Sequence, residues 1–147
     1  LGTIDEFIGD AILAIYGAPT TRKDDVVRAL KCALAMQKAI SDINKINLAE
    51  QLPEISIGIA VNTGTVVAGN IGSERRSKYG VVGHAVNLTA RIEDHCQSGE
   101  ILISESTLAA VEQPLTIGRS ERVTAKGINK PVAIYELISF AAESPSE

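Results

Sequence analysis

Lys78-Tyr79-Gly80-Val81-Val82-Gly83-His84-Ala85-Val86-Asn87-Leu88-Thr89-Ala90-Arg91 decides how the chain is read. Its first residues make a short apolar strand, Gly83 makes a turn, and the rest has helical spacing. Asn87 and Arg91 lie one helical turn apart, so an amide and a guanidinium share a face. Arginine suits phosphate, being always charged and able to donate two parallel bonds from its fork. Leu88 and Ile92 form the neighbouring apolar stripe, which would hold the helix on a core and turn the polar pair away from it. Two readings stand side by side here: a solvated polar face, or a pair converging on one anionic group.

Working outward, Gly2 to Gly17 reads as two β segments meeting at Gly9-Asp10, with an apolar run from Ala11 to Tyr16 leading out. Asp10 at that tip either bonds its own turn or serves a hard cation such as Mg²⁺. The polar break Pro19 to Asp25 supplies an N-cap, and a helix is predicted to about Asn47 with Val26, Leu30, Ala33, Met36, Ile40 and Ile43 as its core face. Ile55, Ile57, Ile59 and Val61 alternate with small or polar residues as a half-buried strand, in which Gly58 marks close backbone approach.

Asn62 to Gly72 carries three glycines, and Ser73 to Lys78 is an exposed, mainly basic loop. After the quoted stretch, the helix is expected to run on to about Cys96. Ile101 to Ser104 is a strand, Glu105 to Glu112 a short helix, and Thr116 to Ala125 with Val132 to Ile138 a closing β pair. From Ala141 the chain is small and acidic and reads as a disordered tail, so residues 1–140 form the domain and 141–147 the tail. Strands flanking two long helices in this mixed order predict an α+β fold, an α/β sandwich of the ferredoxin-like kind with helices packed on a mixed sheet.

Composition narrows the function. The length of 147 residues suits one domain with a real core. A formal charge of −4 gives no basic field for nucleic acid, so none is expected as a partner. No apolar run approaches the roughly 20 residues of a membrane span, and the domain is expected to make no membrane contact. Cys32 and Cys96 fall in predicted helices among apolar neighbours, which fits a reduced, cytoplasmic setting. The chain opens on Leu1 and is expected to be part of a longer polypeptide, which an upstream segment could anchor to a membrane.

Three motifs then carry a resemblance. Phe7-Ile8-Gly9-Asp10-Ala11, Gly69-Asn70-Ile71-Gly72 and Val82-Gly83-His84-Ala85-Val86-Asn87-Leu88-Thr89-Ala90-Arg91-Ile92-Glu93 resemble, in order and spacing, the catalytic domain of class III adenylate and guanylate cyclases. The long helix after Ala18-Pro19 and the closing Lys126-Gly127 tract are in register with it. The resemblance implies that the 3′ hydroxyl of a purine nucleoside triphosphate attacks its own α-phosphate and expels pyrophosphate. Arg91 matches the arginine that stabilises the transition state and Asn87 the asparagine that orients the ribose. Lys126 matches the lysine on the terminal phosphates, and Asp10 one of two aspartates holding two Mg²⁺ or Mn²⁺ ions. The resemblance further implies a head-to-tail homodimer whose chains share each site.

The chain departs from that pattern in two places. The second metal aspartate lies in a region preceding this chain, so the 147 residues alone are expected to be inactive. His84 stands where the family usually has Asp or Asn; capping the helix, facing solvent and, as a minor alternative, a catalytic role are the readings open to it. For the base, Glu6 matches the position that is Glu in guanylate and Lys in adenylate cyclases, and a carboxylate accepts the N–H donors of guanine. Gly80 fills the second base-reading position without a side chain. Glu6 favours GTP, while Gly80 leaves half of the usual reader missing; ATP, or a non-catalytic dimerisation or nucleotide-binding module, stand as alternatives. Treated as extended chain, Glu6 and Asp10 lie about 13 Å apart, near the span from a bound metal to a purine edge.

Overall fold

The computed structural model describes residues 3–18, 20–71, 78–124 and 130–141. Strands β1 (Thr3–Ile8) and β2 (Ala11–Ile15) form an antiparallel hairpin that turns at Gly9 and Asp10. Helix α1 (Asp25–Ala49) follows, then β3 (Ile59–Val61) and the antiparallel pair β4 (Val67–Ile71) and β5 (Lys78–Val82). Helix α2 (His84–Glu93), β6 (Ile101–Ser104), short α3 (Glu105–Ala110), β7 (Leu115–Val123) and β8 (Val132–Phe140) complete the described chain. The largest sheet runs β3-β6-β8-β7, with β3 and β6 parallel and the other pairs antiparallel. This is the expected α+β fold, with a mixed sheet and helices packed on it.

Burial along β6 explains the layering. All four of its residues are buried. Ile101 and Ile103 pack with Leu30 and Ala33 of α1, while Leu102 packs with Ile92 of α2. Successive strand residues point to opposite faces, so the two helices cover opposite faces of the sheet. A strand covered on both sides needs a near-continuous apolar run, which Ile101-Leu102-Ile103 supplies. Each such side chain contributes roughly 1.5–3 kcal/mol by leaving water.

Several expectations change in the structure. Met36 and Ile43, assigned to the core face of α1, are 41% and 42% exposed. The second half of the helix is held by amides instead: Gln37 donates to the Ile57 carbonyl, Asn44 to that of Ile55 and Asn47 to that of Pro53. Those bonds also shorten the predicted strand at 55–61 to Ile59–Val61. Asn44 takes both the carbonyl and the N–H of Ile55, and the Ile57 carbonyl accepts from Gln37 as well as from the Gly99 N–H.

The three-glycine segment, read without a strand, contains β4. Helix α2 ends at Glu93, leaving Cys96 beyond it, and Cys32 is exposed rather than packed. The polar break caps α1 otherwise than expected. Asp24 at the N-cap makes no side-chain cap bond, whereas Asp25 is buried, accepts the Arg22 N–H at 2.8 Å and pairs with Arg28 at 2.5 Å. Of the expected tail, Ala141 is described, donating its N–H to the Pro114 carbonyl at 2.9 Å; residues 142–147 and the loop at 72–77 lie outside the described residues.

Candidate active site

The site is built on α2. Ile92 is 0% exposed and Leu88 half-buried, and both pack against Leu102, Val123 and Ile134. Their stripe faces the sheet, so the opposite side of the helix is presented outward. Asn87 is exposed there, and the Arg91 side chain is 51% exposed, its guanidinium 3.5 Å from Asp94 in an exposed ion pair. The expectation that Leu88 and Ile92 pin the helix while the polar pair points away is borne out. His84 is the exposed first residue of α2, behind an N-cap glycine.

The other named positions lie elsewhere. Asp10 is exposed at the tip of the β1–β2 hairpin, following Gly9 at φ 60°. Glu6 lies on β1 opposite Leu13, just past a register irregularity, and Gly80 lies on β5 opposite Gly69. Strand β1 runs beside β5, which puts Glu6 and Gly80, the two positions expected to read the base, on neighbouring strands. Because the chain bends at Gly9, the extended-chain figure of about 13 Å between Glu6 and Asp10 is an upper bound. Lys126 lies outside the described residues.

An exposed carboxylate on a tight turn suits Mg²⁺, which keeps most of its shell as water and phosphate oxygens. Asp10 fits one such ligand. Among the described residues no group of three or more His, Cys, Asp or Glu side chains could hold an ion by itself. An ion at Asp10 would therefore complete its shell from groups beyond those side chains, triphosphate oxygens included.

A polar network at the far end of α2 was not singled out in the sequence. Arg119 of β7 forks onto Glu100 at 2.5 and 2.7 Å, bonds Glu121, and donates to the His95 carbonyl at 3.0 Å. His95 Nδ1 lies 2.6 Å from Glu121. Arg119 holds the carboxyls of both Glu100 and Glu121 below the ordinary carboxylate value, and they raise its guanidinium in turn. The Cys96 thiol next to this network is pushed up to about 11, chiefly by burial.

One signal for the network was present. Arg119 and Glu121 fall in the same alternation phase as Leu115, Ile117 and Val123. What the sequence does not show is the extra β7 residue between Ile117 and Ser120, which reverses the phase of the strand. Ile117 consequently packs with the α1 cluster and Val123 with the α2 cluster.

Comparison with known proteins follows from this geometry. The family described as "Adenylate and Guanylate cyclase catalytic domain" matches residues 5–139. Among solved structures, the guanylyl cyclase Cya2 is 44% identical with a TM-score of 0.88, covering 98% of this chain and 73% of that one. The adenylyl cyclase CyaB from P. aeruginosa is 30% identical with a TM-score of 0.83, covering 97% and 74%. An uncharacterised protein of Mycobacterium tuberculosis is 40% identical over 137 residues, 90% of this chain. The chain spans about a quarter of the length of such curated relatives, 23% in that case. None of the described helices is long and apolar enough to cross a membrane.

Proposed function

Because this chain belongs to the adenylate and guanylate cyclase catalytic-domain family, we propose that it converts a purine nucleoside triphosphate, GTP in preference to ATP, into its 3′,5′-cyclic nucleotide and pyrophosphate. The observation that carries this reading is the outward display of Asn87 and Arg91 on a helix whose other face is locked by fully buried Ile92. The reaction needs no covalent intermediate on the protein. Negative charge grows on the α-phosphoryl oxygens and the leaving pyrophosphate, and the chain's task is to place cations and hold an in-line pose.

In this reading Arg91 meets the developing charge, Asn87 orients the ribose and Lys126 takes the terminal phosphates. Asp10 holds divalent metal, Mg²⁺ or Mn²⁺, which as a pair of ions would supply Lewis-acid stabilisation of the phosphoryl oxygens when bound. Asp10 and Arg91 belong to separate parts of the fold, the β1–β2 hairpin and the helix resting on β3, β5 and β6. The motif resemblance supports a head-to-tail homodimer in which each site takes Asp10 from one chain and Arg91 from the other. Preference for GTP is supported by the carboxylate residue Glu6 on β1 and by the higher identity to a guanylyl than to an adenylyl cyclase, 44% against 30%. A role in cytoplasmic signal transduction follows from this product.

The test is cyclic-nucleotide formation from GTP and ATP in parallel, with Mg²⁺ and with Mn²⁺, in the longest polypeptide carrying these residues. An Asp10→Ala chain and an Arg91→Ala chain, each with turnover lowered about 10²-fold or more on its own, should recover activity when mixed, because each mixed dimer keeps one intact site. A silent mixture in which heterodimers demonstrably form would exclude shared sites, and no cyclic nucleotide from either substrate would leave the domain as a non-catalytic module.

A further inference from the structure

We propose that Arg119 is a positioning residue for Arg91, acting through the carboxyl-terminal exit of α2. The inference rests on the reading of Asn87 and Arg91 given above. It concerns how their helix is held.

Helix α2 is fixed at both ends by polar side chains from other elements. Near its start, Asn62 beyond β3 donates to the Ala85 carbonyl at 2.9 Å, and its own oxygen accepts from Ser106 of α3 at 3.3 Å. Past its end, Arg119 donates to the His95 carbonyl at 3.0 Å. Arg91 precedes His95 by four residues, about one helical pitch of 5.4 Å. The carbonyl that Arg119 holds thus belongs to a residue four positions after Arg91, just past the last residue of the helix.

Arg119 is itself held on three sides. Glu100 is only 6% exposed, takes two of its nitrogens and also accepts the Gln97 N–H at 2.8 Å. Glu121 takes the remaining terminal nitrogen, and Glu136 of β8 accepts the Arg119 backbone N–H at 3.2 Å. The Glu100 carbonyl receives the Ile59 N–H at 3.0 Å and the Gln37 amide at 3.3 Å, which ties the network to β3 and α1. A planar fork reaching two carboxylates and a carbonyl at once is a task for arginine, and lysine has no such fork.

The packing beneath α2 leaves little slack. A Cβ at Gly58 would lie 2.5 Å from the Cys96 Cβ, and one at Gly64 would lie 2.8 Å from the Ala85 Cβ. Two glycines flanking β3 therefore let the start of the helix and the turn beyond its end settle close against them, and the two polar anchors set its position along its axis. In-line phosphoryl transfer is sensitive to such placement, since a shift of about 1 Å can cost on the order of 10²-fold in rate.

The experiment compares Arg119→Lys with the double variant Arg119→Met/Glu100→Gln, which leaves no uncompensated buried charge, in the parent and in an Arg91→Ala background. Turnover of Arg119→Lys should fall about tenfold or more in the parent with the Michaelis constant changed less than about threefold. In the Arg91→Ala background the same change should cost less than about threefold, because a residue acting through Arg91 has little left to disturb. Equal losses in both backgrounds would make Arg119 a purely structural residue and overturn the proposal. Amide hydrogen exchange provides a readout independent of activity: protection of residues 90–96 should drop in both variants while β6 stays protected. Unchanged exchange in 90–96 also overturns it. If the double variant does not fold, the Arg119→Lys data decide by the same two criteria. Failure of the cyclase reading is separable, appearing as an Arg91→Ala chain with the turnover of the parent.

Discussion

Replacing Arg91 with Ala should separate catalysis from stability, because the structure separates the two on adjacent residues. The Arg91 side chain is 51% exposed, and its partner Asp94 is 61% exposed at 3.5 Å. Ion pairs of that kind contribute about 0–1 kcal/mol. Alanine is at least as good a helix former as arginine, so the unfolding free energy should move by less than about 1 kcal/mol. Turnover should fall by roughly 10² to 10³, the 2.7–4 kcal/mol lost when a donor aimed at developing charge is removed. Ile92, one residue on and 0% exposed, gives the opposite expectation. Ile92→Ala opens a cavity among Leu102, Val123 and Ile134 and should cost about 2–5 kcal/mol of stability. The assays are urea unfolding followed by circular dichroism, and the initial rate of cyclic-nucleotide formation per folded chain. An Arg91→Ala rate within about threefold of the parent would remove Arg91 from the chemistry. A stability loss matching that of Ile92→Ala would show that the polar face is not independent of the core.

Glu6→Lys turns an acceptor into a donor and should lower the GTP over ATP ratio of kcat/KM at least about tenfold, roughly 1.4 kcal/mol; an unchanged ratio means that Glu6 does not read the base. Full conversion is not expected, since Gly80 offers no second side-chain contact. Acid stability should report the Arg119 network. Glu100 and Glu121 titrate below the ordinary value of 4.5 in the folded state, so the unfolded chain binds their protons first as pH drops. Their contribution is complete above about 4.5 and is lost as pH falls through the lower folded values. Urea midpoints between pH 5 and 3 should therefore decline more steeply for the parent than for Arg119→Met/Glu100→Gln, and parallel curves would refute the linkage.

Local patterns in the chain were enough to determine the hairpin at Gly9-Asp10, the strand-turn-helix of 78–93, the closing β pair and the two-sided placement of the polar pair and the Leu88–Ile92 stripe. Each of these depends on turn chemistry or on a side-chain period within one element, and those are written in neighbouring residues. Asn87, Arg91 and Asp10 were legible as candidates for the same reason, and the motif resemblance supplied the chemistry that joins them. Tertiary structure alone decided the rest. Met36 and Ile43 look like core by spacing, yet the second half of α1 is held by Gln37, Asn44 and Asn47, whose amides find carbonyls of the segment that folds back after the helix, 20, 11 and 6 residues on. Those same bonds ended the strand expected at Ile55. The phase reversal in β7 that carries Arg119 to the exit of α2 depends on its register against β8, a pairing that no local period encodes. Amides, charges and register depend on which partner arrives from elsewhere in the chain, and only the folded arrangement specifies that partner.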